Sequence, residues 1–187
     1  MDKEEPRKIA EIIKKLQLKY IVITSVDRDD LPDGGSEIFA ETIEHIHSLT
    51  KADVEVLTPD YTGENLQKVI RAKPEVFGHN IEATERIFRS VRAKGNYAKS
   101  LALLQEAKKI DPNQKTKSAM MIGLGETKEE IIQTMKDLRN HDVDFFSIGQ
   151  YLQPTPKHVQ LQKYYHPDEF KRSEEHTSEL QSPDHLV

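Results

Sequence analysis

The feature that most constrains this chain is an alternation of short apolar runs with segments whose apolar residues recur at helical spacing. The run at residues 20–26 is nearly continuous in apolar side chains, which predicts a strand covered on both faces, as in a parallel sheet. Four further runs have strand length. The predicted strands are residues 20–26, 53–57, 76–80, 116–123 and 144–151.

Helices are predicted between and before these strands. Ile9, Ile12, Ile13 and Leu16 lie at helical spacing, with Pro6 near the first turn. Thr127 and Glu130 have the spacing of a capping box, which predicts a helix start after Thr127. The predicted helices are residues 6–18, 38–49, 65–72, 82–90, 97–110 and a last one ending near 141.

This strand–helix rhythm predicts an α/β fold with about five parallel strands and helical crossovers. Periodicity alone leaves two architectures open, a (β/α) barrel and a doubly wound sheet. We predict one domain over residues 1–171. Residues 172–187 have no apolar period, so we predict that they are disordered. They also resemble the translation of a sequencing adapter, which indicates a non-native tail.

Composition excludes several classes of function. The formal net charge is -5, and no basic run alternates with aromatic residues, so neither nucleic acid nor an anionic membrane surface is an expected partner. No apolar stretch approaches the roughly 20 residues that cross a bilayer, and we expect a cytoplasmic protein. The chain has no cysteine, which excludes disulfides, thiolate catalysis and cysteine-bound metal within it.

Ligands of parallel α/β folds bind at the carboxyl ends of the strands, so the turns that follow the predicted strands are the candidate sites. The first turn, residues 24–35, is rich in carboxylates, hydroxyls and glycines, which suits an ammonium group or a metal ion. An alternative is an ordinary helix start. In that interpretation Asp33 and Ser36 cap the helix and Arg28 forms a surface ion pair.

Three later turns carry weaker signals. Asn80 and Glu82, with Arg92 on the next helix, suit ribose hydroxyls and a carboxylate, whereas an isolated histidine such as His79 is typical of a structural role. Residues 123–127 lack the full dinucleotide-binding pattern because Lys128 stands where a glycine is required. The turn is still compatible with close packing of its backbone against a flat ring. Residues 149–154 suit either a ligand-binding site or a strand that leaves the sheet at a proline.

Together these turns resemble, in order, the signature stretches of the lipoyl synthase family of radical S-adenosylmethionine (SAM) enzymes. The matching stretches are residues 23–35, 79–82, 116–126 and 149–154. The resemblance implies a partial (β/α)6 barrel with SAM at its open mouth. It further implies insertion of two sulfur atoms, at carbons six and eight, into an octanoyl chain carried by a lipoyl carrier protein or lipoyl domain, through a 5′-deoxyadenosyl radical.

The resemblance also implies roles for nine residues. Thr24, Ser25 and Asp27 match the segment near the SAM amino group. Asn80 and Glu82 match the strand end near the ribose, and Arg92 is a candidate partner of the SAM carboxylate. Gly123, Glu126 and Tyr151 match the segments around the adenine.

The chain departs from this family in its metal ligands. The family has two 4Fe-4S clusters, held by a C-x-x-x-C-x-x-C loop, three further cysteines and one serine, and none of these motifs is present here. Because cluster irons require thiolate ligands, we predict that this chain is inactive alone and has no catalytic or metal-binding residue. An alternative is a non-catalytic module that binds SAM or a partner protein.

Two further expectations concern the strands. A lyase with a Schiff-base lysine is disfavoured because Lys115 and Lys117 lie at the start of their strand, the wrong end for a barrel active site. The strand at residues 20–26 is expected to have a free edge where another barrel strand would pair. Such an edge favours self-association.

Overall fold

The computed structural model describes residues 3–170. The predicted disordered tail, residues 172–187, lies outside the described residues. Helices and strands alternate as the sequence predicts. Their bounds are α1 Glu5–Leu16, β1 Tyr20–Thr24, α2 Ser36–Leu49, β2 Asp53–Leu57, α3 Gly63–Arg71, β3 Val76–Gly78, α4 Glu85–Val91, α5 Tyr97–Ile110, β4 Lys115–Ile122, α6 Lys128–Asn140 and β5 Phe145–Gln150.

The strands form one open sheet in the order β1-β2-β3-β4-β5. Thr24, Leu57 and Gly78, the last residues of the first three strands, lie opposite one another in parallel register. A doubly wound sheet reverses its strand order at a switch point, whereas a barrel adds strands in sequence. The sequential order therefore selects the partial barrel, and the predicted fold class is confirmed.

Contacts divide the described chain into two compact units. The first contains residues up to His79 together with Ala102–Lys117, and the second contains Asn80–Leu101 and the residues from Ser118 onward. In the first unit, α2, β2 and α3 supply side chains that are at most 1% exposed: Ile43, Ile46, Val54, Val56, Leu66 and Val69. In the second, a cluster of Ala83, Ile87, Leu124 and Tyr151 is buried.

The prediction that both faces of the first strand are covered is wrong. Tyr20 and Val22 are 49% and 53% exposed, whereas Ile21 and Ile23 are half-buried. β1 lies at the end of the described sheet, and the described residues leave one of its faces open to solvent. The apolar run shows which residue types the strand contains, but it does not show how many other elements pack against the faces of the strand.

The helix predicted to begin at residue 82 begins at Glu85. Glu82 has a φ of 63° and forms an isolated parallel bridge with Met120, so its backbone is committed to the sheet. The capping box is confirmed, because the Thr127 side chain accepts from the Glu130 amide and the Glu130 carboxylate accepts from the Thr127 amide. Among the described residues, no helix has the length and apolar character that a membrane crossing requires.

Candidate functional site

The loop after β1 carries the three predicted residues of the first unit. Thr24, Ser25 and Asp27 are all exposed. The Ser25 hydroxyl donates to the Val26 carbonyl at 3.0 Å, while the side chains of Thr24 and Asp27 make no hydrogen bond within the described residues. This loop therefore presents hydroxyl and carboxylate groups that a ligand can reach.

The rest of this loop is structural. The alternative interpretation is confirmed for Asp33 and Arg28 but not for Ser36, which is the first residue of α2 and not its cap. The Asp33 carboxylate accepts from the amides of Glu37 at 2.8 Å and Gly35 at 3.1 Å, and these bonds lower its pKa. Arg28 donates two bonds of 2.7 Å to Asp30, and this partner lowers the pKa of the Asp30 carboxyl. Asp33 thus fastens the start of α2, and Arg28 is occupied by its ion pair.

His79 is a structural histidine, as its isolation in the sequence indicates. Its ring is 1% exposed, with Nδ1 at 3.0 Å from the Thr58 carbonyl and Nε2 at 3.2 Å from Asp60 Oδ1. Both ring nitrogens therefore have protein partners. Within residues 3–170, no group of three or more His, Cys, Asp or Glu side chains is arranged to hold a metal ion.

In the second unit, Asn80, Glu82 and Arg92 are half-buried. The Glu82 amide donates to the Ala119 carbonyl at 3.0 Å, and its own carbonyl accepts from Met121 at 2.9 Å. The side chains of Asn80 and Glu82 make no hydrogen bond within the described residues. The extension of the sheet past β3 thus holds the backbone while leaving these two polar side chains available.

The turn after β4 is organised by Glu126, which is 9% exposed. Its carboxylate accepts from the amides of Gly123 at 2.6 Å and Leu124 at 2.9 Å, and from the Tyr165 hydroxyl at 2.8 Å. Burial and this carboxylate raise the pKa of Tyr165. The Glu126 carboxylate is therefore engaged inside the protein, and a ligand here would meet the backbone of the turn.

A segment at residues 159–166 crosses this turn, and sequence reasoning missed it. Gln150 holds it, because Nε2 donates to the carbonyls of Ile122 at 3.2 Å and Lys163 at 3.1 Å while Oε1 accepts from the Tyr165 amide at 2.9 Å. The Tyr151 hydroxyl donates to the Val159 carbonyl at 2.8 Å. No local pattern signals such contacts, because the partners lie 8 to 39 residues apart in sequence.

A second feature missed from the sequence is a polar cluster in the first unit. Glu55 is 6% exposed, and its carboxylate accepts from Lys117 Nζ at 2.8 and 3.0 Å and from the Tyr20 hydroxyl. Burial, followed by the bond to Glu55, raises the pKa of Tyr20 to about 12. Lys117 is the third residue of β4, and its ammonium group forms an ion pair with Glu55. Both facts agree with the expectation that it is not a Schiff-base lysine.

A cavity of about 300 Å³ opens in the second unit beside α6. Among the residues that line this cavity, Glu126 is the one that belongs to the nine predicted site residues. Its other walls are Ile122, Lys128, Ile131, Ile132, Met135, Ile148, Lys163, Tyr165 and Glu169. This cavity therefore contains one of the nine predicted SAM-binding residues, Glu126.

Comparison with known proteins supports the resemblance that the turns predicted. The chain is 50% identical over 94% of its length to a lipoyl synthase of Caldanaerobacter subterraneus subsp. tengcongensis, of which it covers 62%. It is 49% identical over 92% of its length to a lipoyl synthase of Rubrobacter xylanophilus, of which it covers 54%. The chain thus spans somewhat more than half the length of these relatives.

Solved structures share the fold at low sequence identity. Methylornithine synthase (PylB) superposes with a TM-score of 0.72 at 14% identity, over 87% of this chain and 48% of that one. Streptococcus suis SuiB bound to S-adenosylmethionine gives a TM-score of 0.70 at 12% identity, over 93% of this chain and 39% of that one. Residues 1–138 match the sequence model of a protein family, the radical SAM superfamily. This chain therefore belongs to the radical SAM superfamily.

Proposed function

We propose that this chain is a barrel segment of a lipoyl synthase, an enzyme that inserts two sulfur atoms into a protein-bound octanoyl group. The observation that carries the proposal is the 50% identity to a lipoyl synthase over 94% of the chain. The four predicted signature turns support it, since each lies at the carboxyl end of a strand. The proposed partner is an octanoylated lipoyl carrier protein or lipoyl domain.

SAM is the proposed cofactor, and it supplies a 5′-deoxyadenosyl group when bound. In the first unit, Thr24 and Asp27 offer a hydroxyl and a carboxylate suited to an amino group. In the second, Asn80 and Glu82 offer an amide and a carboxylate suited to ribose hydroxyls. The adenine segment is proposed to act through the backbone at Gly123, because Glu126 and Tyr151 already have internal hydrogen bonds.

An iron–sulfur cluster does not fit the residues of this chain. Cluster irons require thiolates, and the sequence contains no cysteine. Within residues 3–170, no group of three His, Asp or Glu side chains provides another metal site. We therefore propose that the chain as given does not cleave SAM, and we assign no catalytic step to its residues.

Anaerobic reconstitution of the whole chain with iron and sulfide tests this proposed inactivity. We expect iron-free protein and no 5′-deoxyadenosine when SAM and a reductant are added. Stoichiometric bound iron together with 5′-deoxyadenosine would overturn the assignment.

A chimera tests the proposed reaction. Residues 9–170 replace the matching part of the Caldanaerobacter lipoyl synthase, so that the cysteines come from that enzyme. We expect conversion of an octanoylated carrier protein to the lipoylated form, measured by mass spectrometry. In the chimera, Asn80→Ala should raise the KM for SAM, whereas Lys136→Ala on the exposed face of α6 should not. A chimera that binds iron and SAM but transfers no sulfur would contradict the proposal.

The second candidate is a non-catalytic module that binds SAM, which the absence of cysteine favours. Equilibrium dialysis of the unreconstituted chain against labelled SAM distinguishes the two. A synthase segment without its cluster should bind SAM weakly or not at all, because the cluster iron that would chelate the amino acid part is missing. Tight, saturable binding that Asn80→Ala weakens would instead favour the module.

A further inference from the structure

Arg86 is the second residue of α4, and its guanidinium group contacts both the turn after β4 and the helix that follows this turn. Nε and Nη2 donate to the two carboxylate oxygens of Glu130 at 2.6 and 3.0 Å, and Nη2 also donates to the Gly125 carbonyl at 2.8 Å. The hydrogen bond from Arg86 lowers the pKa of the Glu130 carboxyl, so the pair is charged at neutral pH. The planar guanidinium group makes all three bonds from fixed donors, which a lysine ammonium group cannot do.

The turn that receives this contact depends on other parts of the protein for its shape. Gly123 and Gly125 have φ values of 109° and 97°, a region that glycine enters freely, and neither has a side chain that could fasten the turn. The Glu126 carboxylate holds the first half of the turn through the amides of Gly123 and Leu124. The bond from Arg86 to the Gly125 carbonyl holds the second half.

Arg86 also connects the two segments that are proposed to hold the nucleoside part of SAM. Asn80 and Glu82, the proposed ribose residues, come shortly before α4, whereas Gly125 belongs to the proposed adenine segment. At the level of the sheet, Glu82 is joined to Met120 by an isolated parallel bridge. Arg86 adds a second connection between the same two segments, from α4 to the turn, and all these residues belong to the second unit. The spacing of the two segments decides whether one nucleoside can contact both at once.

We propose that Arg86 is a positioning residue for the nucleoside part of SAM, because it holds the Gly125 carbonyl at a fixed place relative to the ribose segment at residues 80–82. The inference rests on the proposed function and goes beyond it, since Arg86 is not among the nine predicted site residues. The Arg86 side chain is 59% exposed, and exposed ion pairs contribute little to stability. Substitution of Arg86 should therefore weaken nucleoside binding in a protein that still folds.

Hydrogen exchange of the whole chain tests this contact independently of the proposed function. The Thr127 amide donates to the Glu130 carboxylate that Arg86 holds, so Arg86→Ala should speed amide exchange at residues 125–127 by about fivefold or more. Arg86→Lys should have nearly the same effect, because a lysine can pair with the carboxylate but cannot also reach the carbonyl of the turn. Arg89→Ala is the control, at an exposed position of α4 without an ion pair within the described residues. Unchanged exchange in Arg86→Ala would overturn the proposal.

Kinetics of the chimera described above test the positioning role. Arg86→Ala should raise the KM for SAM by about tenfold and leave kcat within about twofold of its original value. The Ki for 5′-deoxyadenosine should rise by the same factor, whereas the Ki for methionine should not change, because Arg86 positions the nucleoside segments. Tyr97→Phe is the control for a general loosening of α6, since the Tyr97 hydroxyl donates to Asp137 Oδ2 at 2.9 Å, away from the turn. It should leave all three constants unchanged.

A double variant tests whether Arg86 acts through its ion pair. Glu130→Gln retains a residue type suited to the capping box but loses the charge that Arg86 meets. Arg86→Ala combined with Glu130→Gln should raise the KM for SAM no further than Arg86→Ala alone, because both changes remove the same contact. An active chimera in which Arg86→Ala leaves the KM unchanged, or raises the Ki for methionine equally, would overturn the proposal. A chimera that transfers no sulfur would contradict the proposed function instead, and the exchange result then decides on the role of Arg86.

Discussion

The turn after β1 and the turn after β4 contain similar polar residues, but these residues differ in their exposure and in their hydrogen bonding. Thr24 and Asp27 are exposed and make no side-chain hydrogen bond within the described residues. Glu126 is buried and accepts three hydrogen bonds. The second turn is therefore organised by the protein itself, whereas the groups of the first are held only by the backbone. Residues that share a predicted role can thus differ widely in their contribution to stability.

Gly123→Ala should produce the largest loss of stability in this comparison. Gly123 has a φ of 109°, and an added Cβ would lie 2.5 Å from Gln150 Nε2 and 2.6 Å from the Lys163 carbonyl. Backbone strain and the clash together should lower the free energy of unfolding by about 3 kcal/mol. Urea denaturation measures the loss. Gly149→Ala is the control, because no atom lies within 4 Å of the added Cβ. Equal effects at both glycines would show that the crossing segment does not press on the turn.

Glu126→Gln should have the next largest effect. The amide keeps one acceptor oxygen, but its NH2 group faces a buried backbone amide, so we expect a loss of about 2 kcal/mol. Glu129→Gln, on the exposed first turn of α6, should cost about 0.5 kcal/mol or less. A Glu126 variant as stable as the Glu129 variant would remove the distinction between the two turns.

Tyr165→Phe should cost about 1 kcal/mol at neutral pH, because the hydroxyl donates to Glu126. Burial and this bond raise the folded-state pKa of Tyr165. The stabilisation is therefore complete below the ordinary tyrosine pKa of about 10 and is lost as the pH rises through the higher folded-state pKa.

The advantage of wild type over Tyr165→Phe should accordingly shrink above about pH 10 in thermal unfolding. Tyr164→Phe is the control, because the Tyr164 side chain is 69% exposed. A difference between wild type and Tyr165→Phe that stays constant from pH 7 to strongly alkaline pH would contradict the assigned hydrogen bond.

Asp27→Asn in the loop after β1 should have the smallest effect, about 0.5 kcal/mol or less in the free energy of unfolding. Its carboxylate is exposed and makes no hydrogen bond within the described residues. The same change at Asp33, which accepts from two amides, should cost about 1 kcal/mol. If Asp27→Asn destabilises the chain as much as Asp33→Asn, the loop is more tightly organised than its contacts indicate.

The sequence by itself determined the order of elements, the capping box at Thr127 and the structural role of His79. These depend on periodicity, on residues three positions apart, or on the absence of a second ligand nearby. The resemblance to lipoyl synthases also came from short stretches in a fixed order. Each of these signals lies within a few neighbouring residues, so the sequence carries it without knowledge of the fold.

Only the tertiary structure decided which polar side chains have hydrogen-bond partners within the protein and which strand faces are covered. The bond of Tyr165 to Glu126 spans 39 residues, and that of Lys117 to Glu55 spans 62. The φ of Glu82 follows from its bridge to Met120, and the exposure of Val22 follows from the position of β1 at the end of the described sheet. Burial and pairing depend on neighbours brought together by folding, and no local pattern in the sequence specifies those neighbours.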